Sequence, residues 1–192
     1  AQVGGLMNGT TCVIYDGNPG GSKDNPDWSA LWRFAADNKV TFFGAGAAFF
    51  ANCQKSGIDL TQCGDLSRVR ALGTTGSPLS PETQNWGNEQ FQRIKTQHAH
   101  SPYLHRETDG DIWWCNISGG TDFCGAFIGG NRELPQEAGV MQCRLLGCAV
   151  EAWNEAGEPV HGEVGELVCA QPIPSMPLFF WVVPDNAREL AR

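Results

Sequence analysis

The sequence lacks several features that would each place it in a specialised class. It has no uninterrupted apolar run of about 20 residues, the length that spans a bilayer as a helix. It has no basic excess either: 13 lysines and arginines against 21 aspartates and glutamates give a formal net charge of −8 and a pI near 4.9. Nucleic-acid-binding domains usually carry a basic stripe. With no long run of like charges, the composition argues against a membrane span, a nucleic-acid partner and an acidic tail.

Cysteine is too sparse for a small disulfide scaffold. The eight cysteines make up about 4% of the chain, below the roughly 8–10% typical of such domains. None forms a C-x-x-C pair, and Cys12, Cys115 and Cys169 lie inside apolar runs. We therefore predict buried free thiols in a reducing compartment. A secreted, disulfide-linked protein is the alternative, and eight titratable thiols would exclude it.

The chain also lacks an initiator methionine and the layout of a secretory signal at its start. We expect it to be an internal part of a longer protein. At 192 residues it can bury about 70% of its unfolded surface, which suits one domain or a piece of one.

Hydrophobic periodicity and turn residues predict alternating strands and helices through the first two thirds of the chain. Asp27 can N-cap a helix that carries an apolar stripe, a second helix ends at Gly57, and Ser80 followed by Pro81 is a typical helix start. The predicted elements are strand 10–15, helix from 27, strand 40–43, helix 45–56, strand 69–72, helix 81–94 and strand 112–117. This order predicts an α/β fold with a layered, mostly parallel sheet and flanking helices.

The pattern changes beyond residue 139. Short apolar runs at 141–146, 150–153 and 166–170 alternate with glycine-containing turns and predict antiparallel strands. We therefore predict an α/β part at 1–138 and a smaller β-rich subdomain at 139–192 that ends in an irregular, proline-rich stretch.

Residues 95–110 do not fit this organisation, because they are polar and lack periodicity. His98, His100 and His105 could form a metal cluster. No cysteine or carboxylate pattern completes such a site. We therefore predict an irregular, flexible insertion with incidental histidines.

The most informative stretch is Asp111–Phe127, in which an apolar run breaks abruptly at Ser118–Asp122 (SGGTD). A buried strand followed by a loop of small residues, a hydroxyl and a carboxylate is typical of phosphate and metal sites in α/β enzymes. An ordinary glycine turn with a capping aspartate is the alternative, and the loop alone does not decide between them.

The wider sequence resembles the adenylate-forming acyl-CoA synthetase superfamily, and most of all its acetoacetyl-CoA synthetase (acetoacetate–CoA ligase) family. The similarity follows chain order and includes the SGGTD loop, the RELP block and the GELV block. The matching stretches are 6–20, 31–50, 65–86, 116–135 and 141–181.

The resemblance implies an ATP-dependent, cytoplasmic acid–CoA ligase that uses Mg²⁺ and coenzyme A, with acetoacetate as the acid. It matches Thr121 to a catalytic threonine that contacts the α-phosphate, and Asp122 to a magnesium ligand that is usually Glu elsewhere. It places Ser118, Gly119 and Gly120 in the same nucleotide-binding loop. Many relatives have an adenine-stacking aromatic residue where this chain has Ser118, so we expect another contact or weaker nucleotide binding.

Two other segments acquire roles by the same resemblance. The loop formed by Gly76, Ser77 and Pro78 would line the adenine. The overlapping stretch 73–76 looks like a phosphate loop, but the resemblance places it at the base instead, and a plain strand–helix turn is an equal alternative. The segment formed by Gly44, Ala45, Gly46 and Ala47 would shape the acyl pocket. Tight strand–helix packing is the preferred alternative for the glycines of this segment.

The superfamily's phosphate loop with its lysine, its ribose-binding aspartate and its C-terminal domain with a catalytic lysine find no match in the 192 residues. We therefore expect a fragment that acts with the missing N- and C-terminal parts of the same enzyme and is inactive alone. A non-catalytic nucleotide-binding or interaction protein that keeps part of the fold is the second hypothesis.

Overall fold

A computed structural model describes residues 2–100 and 112–177. Its contacts define two compact units, which are described separately. The first comprises 1–115 and 136–140, and the second comprises 116–135 and 141–192, within the described ranges.

The first unit is built on a three-stranded sheet. Strand β1 (Phe42–Gly46) pairs in parallel with β2 (Ala71–Thr75), and β3 (Trp113–Asn116) completes the strand order β1-β2-β3. The burial pattern of β2, with only Thr75 exposed, is that of a strand covered on both faces. This arrangement confirms the predicted parallel sheet.

Of the four helices in the described part of the chain, the first two precede β1 and the other two connect the strands. They are α1 (Gln2–Met7), α2 (Ala30–Asp37), α3 (Ala47–Ser56) and α4 (Pro81–Gln97), together with a 3-10 turn at Leu60–Gln62. Two of the predicted caps are confirmed: the Ser80 hydroxyl accepts the amide hydrogen of Thr83, and Gly57 ends α3 in the left-handed region with φ of 67°.

An aromatic cluster forms the core of the first unit. Trp32 is fully buried and stacks on Phe43 with the ring centroids 4.2 Å apart and an interplanar angle of 18°. Phe50, also fully buried, meets both Trp32 and Trp114 edge to face. The cluster therefore joins α2, β1, α3 and β3.

The second unit contains two antiparallel three-stranded sheets. The first has the order β4 (Ser118–Gly120), β5 (Gly125–Gly129) and β6 (Cys143–Arg144). The second consists of β7 (Val150–Trp153) between β8 (Pro159–Val160) and β9 (Glu166–Cys169). These small antiparallel sheets after the parallel sheet confirm the predicted fold class.

Some local predictions were wrong. Residues 10–15 form no strand: Val13 and Ile14 are 41% and 66% exposed, and no strand in the described part of the chain pairs with them. β-branched residues favour strands chiefly through packing on a pleated surface, which this segment lacks here.

Other predicted boundaries also moved. Asp27 does not cap a helix, because its carboxylate accepts the Ser29 amide hydrogen while α2 starts at Ala30. Strands β1 and β2 each begin two residues later than predicted, at Phe42 and Ala71.

The compact units also differ from the predicted division at 138/139. Residues 116–135 group with the antiparallel strands, because β5 pairs with both β4 and β6. The domain assignment itself stays a prediction.

The predicted insertion at 95–110 is partly helical, since α4 continues to Gln97. His98 lies 3.7 Å from the Asp65 carboxylate, measured from Nδ1 to Oδ1. His105 falls outside the described residues. Within 2–100 and 112–177, no group of three or more histidine, cysteine, aspartate or glutamate side chains is arranged to hold a metal ion.

All eight cysteines are free, as predicted, but only Cys53 and Cys63 are buried. Burial raises the pKa of the Cys53 thiol to about 12, although the indole N–H of Trp32 donates a hydrogen bond to its sulfur. Cys12, Cys115 and Cys169 are half-buried rather than buried, so the location predicted from their apolar neighbours was wrong.

Candidate active site

Two of the predicted segments meet at the carboxyl edge of the parallel sheet. Strands β1 and β2 run in register, with Gly44 opposite Gly73 and Gly46 opposite Thr75. Helix α3 starts directly after β1 at Ala47, and the Gly76–Pro78 loop directly follows β2. This edge is where α/β sheets usually bind ligands.

The Gly76–Pro78 loop is exposed and has one strict backbone requirement. Gly76 has φ of 91°, in the left-handed region that favours glycine. No atom lies within 4 Å of where its Cβ would be. The turn conformation therefore explains why residue 76 is a glycine. This explanation holds equally for an adenine loop and for a plain strand–helix turn.

The glycines of β1 have more room than tight packing would leave. A Cβ at Gly44 would lie 3.6 Å from Phe42 Cε1, and one at Gly46 would lie 3.8 Å from the Thr75 carbonyl oxygen, both ordinary contacts. The close approach is at Gly73, where a Cβ would lie 2.8 Å from Phe42 Cζ. Gly44 and Gly46 therefore do not show the tight strand–helix packing suggested for this segment, and the close approach at Gly73 is to a side chain of the neighbouring strand. The acyl-pocket role of 44–47 stays a prediction.

The predicted Ser118–Asp122 loop is a strand followed by a turn. Ser118–Gly120 form β4, and residues 121–124 make the turn into β5. Within this turn the Cys124 amide donates to the Thr121 carbonyl oxygen at 3.0 Å, and Cys124 has φ of 51°. The side chains of Thr121 and Asp122 are exposed at the tip of this hairpin.

Packing within the hairpin limits the space at the two glycines of β4. A Cβ at Gly119 would lie 2.3 Å from the Gly125 carbonyl oxygen, at a point where the β4–β5 register shifts. A Cβ at Gly120 would lie 2.8 Å from Phe123 Cε1. The hairpin pairing therefore requires glycine at 119, and the Phe123 ring leaves little room beside 120. Thr121 and Asp122 provide the exposed hydroxyl and carboxylate of the turn.

An aromatic pair packs at the end of the turn, directly after Asp122. Phe123 stacks on Phe127 with the ring centroids 4.3 Å apart and an interplanar angle of 22°. Because Phe127 belongs to β5, this contact holds the end of the turn against its own hairpin.

The Asp122 carboxylate suits a magnesium ion that is shared with phosphates. It is exposed, and no hydrogen bond or ion pair joins it to another described side chain. Mg²⁺ usually keeps several waters and takes only one or two protein carboxylates beside substrate phosphates. A single hard oxygen donor beside a threonine hydroxyl fits this mode of binding, whereas a closed protein cage would need more ligands.

Sequence reasoning missed the residues that fix β3, the strand leading into the hairpin. The Gln136 side chain accepts the Trp114 amide hydrogen at 2.9 Å and donates to the Ile112 carbonyl oxygen at 2.8 Å. Gln84 of α4 accepts the Gly139 amide hydrogen at 3.1 Å. These bonds join residues 22 to 55 positions apart, so no local pattern could have predicted them.

The predicted nucleotide-binding residues are divided between the two compact units. Gly76, Ser77 and Pro78 belong to the first, and Ser118–Asp122 belong to the second. Each group is exposed or half-buried within its own unit.

No helix among the described residues combines the length and the apolar character that crossing a membrane requires. No protein-family model matches the chain.

Comparison with individual proteins is more informative. An acetoacetyl-coenzyme A synthetase from Rhizobium meliloti (strain 1021) is 37% identical over 187 residues, covering 97% of this chain and 26% of its own length. An acetoacetyl-CoA synthetase from Xenopus tropicalis is 34% identical over 176 residues, covering 92% of this chain and 23% of its own. The chain therefore spans about a quarter of the length of these relatives.

Solved structures agree with this relationship. The acetoacetyl-CoA synthetase from Streptomyces lividans has a TM-score of 0.77 and 38% identity, covering 97% of this chain and 26% of that one. An anthranilate CoA ligase in complex with anthranoyl-AMP has a TM-score of 0.68 at 18% identity, which is evidence for the fold alone. The chain is a homologue, along nearly its whole length, of one segment of the acetoacetyl-CoA synthetases.

Proposed function

We propose that this chain is the segment of an ATP-dependent acid–CoA ligase that carries the Thr121–Asp122 phosphate and metal site, the Gly76–Pro78 adenine loop and part of the acyl pocket. The observation that carries the proposal is an exposed threonine–aspartate turn in a chain that matches the acetoacetyl-CoA synthetases of Rhizobium meliloti and Xenopus tropicalis over 97% and 92% of its length. Acetoacetate is the proposed acid, because the relatives from Rhizobium meliloti, Xenopus tropicalis and Streptomyces lividans are named for it.

The proposed reaction has two steps. The acid carboxylate attacks the α-phosphorus of ATP, the bond to the β-phosphate oxygen breaks, and acyl-AMP and pyrophosphate form. The thiolate sulfur of coenzyme A then attacks the acyl carbon, and AMP leaves. Both steps bring anions together, so the protein contributes mainly positioning and charge stabilisation.

The residues of this chain have distinct proposed roles in the first step. The Thr121 hydroxyl donates to an α-phosphate oxygen, and the Asp122 carboxylate holds Mg²⁺, which when bound neutralises charge on the phosphate oxygens. Main-chain groups of Gly76–Pro78 contact the adenine. Residues 44–47 line the space for the acid, and their small side chains leave that space open.

A chimeric enzyme tests this proposal. In it, the corresponding segment of the Streptomyces lividans synthetase is replaced by this chain, and acid-dependent ATP–pyrophosphate exchange is measured. We expect exchange that depends on acetoacetate and is weaker with benzoate or anthranilate. A folded chimera that binds ATP without catalysing exchange would favour the non-catalytic nucleotide-binding alternative and would contradict the proposal.

A further inference from the structure

The chain leaves the first unit after Cys115, near the end of β3, and returns to it at Gln136–Val140. Both candidate catalytic residues, Thr121 and Asp122, belong to the segment between these points, residues 116–135. The residues on either side of this segment belong to the first unit, so contacts there fix the backbone at which the segment begins and ends.

The Gln136 side chain joins these two ends directly. Its Oε1 accepts the amide hydrogen of Trp114 at 2.9 Å, while its Nε2 donates to the carbonyl oxygen of Ile112 at 2.8 Å. A residue of a parallel neighbouring strand makes this same pair of bonds, to the carbonyl before and the amide after the residue it faces. The Gln136 amide thus replaces one residue of a strand beside β3.

Helix α4 holds both ends on a single face. Gln84 is 1% exposed and accepts the Gly139 amide hydrogen, which fixes the returning segment. One turn further along the helix, Asn88 accepts the indole N–H of Trp114 at 2.8 Å, and Gly87 lies against the Trp114 ring. Positions 84, 87 and 88 have the i, i+3, i+4 spacing of one helix face.

The geometry points to Gln136 as a positioning residue for the Thr121–Asp122 turn. Its side-chain amide hydrogen-bonds to the backbone of β3, and Gln136 itself is the first residue after segment 116–135. It therefore fixes both ends of the segment that carries the candidate site. The inference rests on the proposed function for the meaning of that site. The mechanical link itself can be measured without any substrate.

Hydrogen–deuterium exchange of the 192-residue chain measures this link. Replacing Gln136 by Leu removes both hydrogen bonds at similar volume, and we expect exchange in 113–124 to become at least about tenfold faster. Exchange in α3, which does not contact Gln136 by hydrogen bonds, stays unchanged. A role limited to general stability would instead accelerate exchange throughout the first unit.

Gln90 provides the matched control. It lies on α4, is 7% exposed, and its Oε1 accepts the Leu60 amide hydrogen at 2.9 Å, away from β3. Gln90→Leu should accelerate exchange near Leu60 and leave 113–124 as in the unsubstituted chain. Equal acceleration of 113–124 in both variants would overturn the inference, as would unchanged exchange in Gln136→Leu.

A second variant keeps the test decisive if Gln136→Leu does not fold. In Gln136→Glu, the ionised carboxylate can accept from Trp114 but cannot donate to Ile112, whereas the protonated acid can do both. We expect protection of 113–124, corrected for intrinsic exchange and compared with the unsubstituted chain at the same pH, to be lost at pH 7 and largely regained at pH 3, below the ordinary glutamate pKa of about 4.3. Protection that does not depend on pH would overturn the inference.

The chimeric synthetase separates this inference from the proposed function. We expect Gln136→Leu to lower ATP–pyrophosphate exchange at least about tenfold relative to Gln90→Leu. If the unsubstituted chimera catalyses no exchange, the proposed function has failed, while the hydrogen–deuterium exchange result still decides the inference.

Discussion

The contact between Gly87 and Trp114 leads to a prediction with a defined magnitude. Gly87 lies within α4, and a Cβ there would lie 2.4 Å from Trp114 Cζ2. The indole cannot move aside freely, because it is 1% exposed, donates to Asn88 at 2.8 Å and meets Phe50 at a centroid distance of 5.2 Å. Gly87→Ala should therefore destabilise the first unit.

Two opposing effects set the size of that loss. Alanine is favoured over glycine in a helix interior by about 1 kcal/mol. Overpacking a well-filled core costs about 1–3 kcal/mol, and displacing Trp114 also loses its hydrogen bond to the buried Asn88, worth about 1 kcal/mol. The packing effect is larger, so we expect the free energy of unfolding to fall by about 2 kcal/mol.

Urea titration followed by circular dichroism at the helix band measures this change. Gly4→Ala is the matched control, because Gly4, like Gly87, lies within a helix. Unlike Gly87 it is exposed, and no atom lies within 4 Å of its Cβ position. That substitution should leave stability unchanged or slightly higher. A Gly87→Ala variant as stable as the unsubstituted chain would refute the packing argument.

Three further predictions concern the first unit and the thiols. Hydrogen bonds from Arg33 and Ser29 lower the pKa of Asp27 to about 2, so its contribution to stability is present above the ordinary aspartate pKa and lost as the pH falls through about 2. Because the Asp27–Arg33 pair is half-exposed, Asp27→Asn should lower the free energy of unfolding by at most about 1 kcal/mol at pH 7 and leave it unchanged near pH 2. A larger loss at pH 2 than at pH 7 would contradict this account. Ser80→Ala should destabilise the chain by about 1 kcal/mol in the same titration, because it removes the cap of α4, and an unchanged midpoint would argue against that cap. In a thiol-labelling time course read by mass spectrometry, exposed Cys124 should react early and buried Cys53 last, with all eight reacting after denaturation, and early labelling of Cys53 would contradict its burial.

Local chemistry made part of this fold predictable. The Ser80–Pro81 start of α4 and the Gly57 end of α3 follow from hydrogen bonding and backbone conformation within a few residues, and both were predicted. The parallel sheet also followed from the alternation of strands and helices.

The errors occur where distant partners decide the structure. Residues 10–15 have strand-forming composition but no strand beside them among the described residues. The Ser118–Gly120 segment became a strand because β5 lies opposite it, and its glycines are set by that pairing.

The candidate site was predictable only in part. Resemblance singled out Thr121 and Asp122, and the structure exposes both at a hairpin tip. The hydrogen bonds of the Gln136 side-chain amide depend on a contact with a residue 22 positions away, for which the sequence carries no local signal.

The most direct test of the central claim is the magnesium-dependent ATP–pyrophosphate exchange of the chimeric synthetase with Asp122 changed. Asp122→Ala should lower exchange at least about 100-fold, the scale on which single preorganised electrostatic contacts act, while Asp122→Glu should retain most of it. Glu155→Ala, which removes an exposed turn carboxylate from the same unit, should have no effect. Exchange at the unsubstituted rate in Asp122→Ala would contradict the assignment of this turn as the metal site.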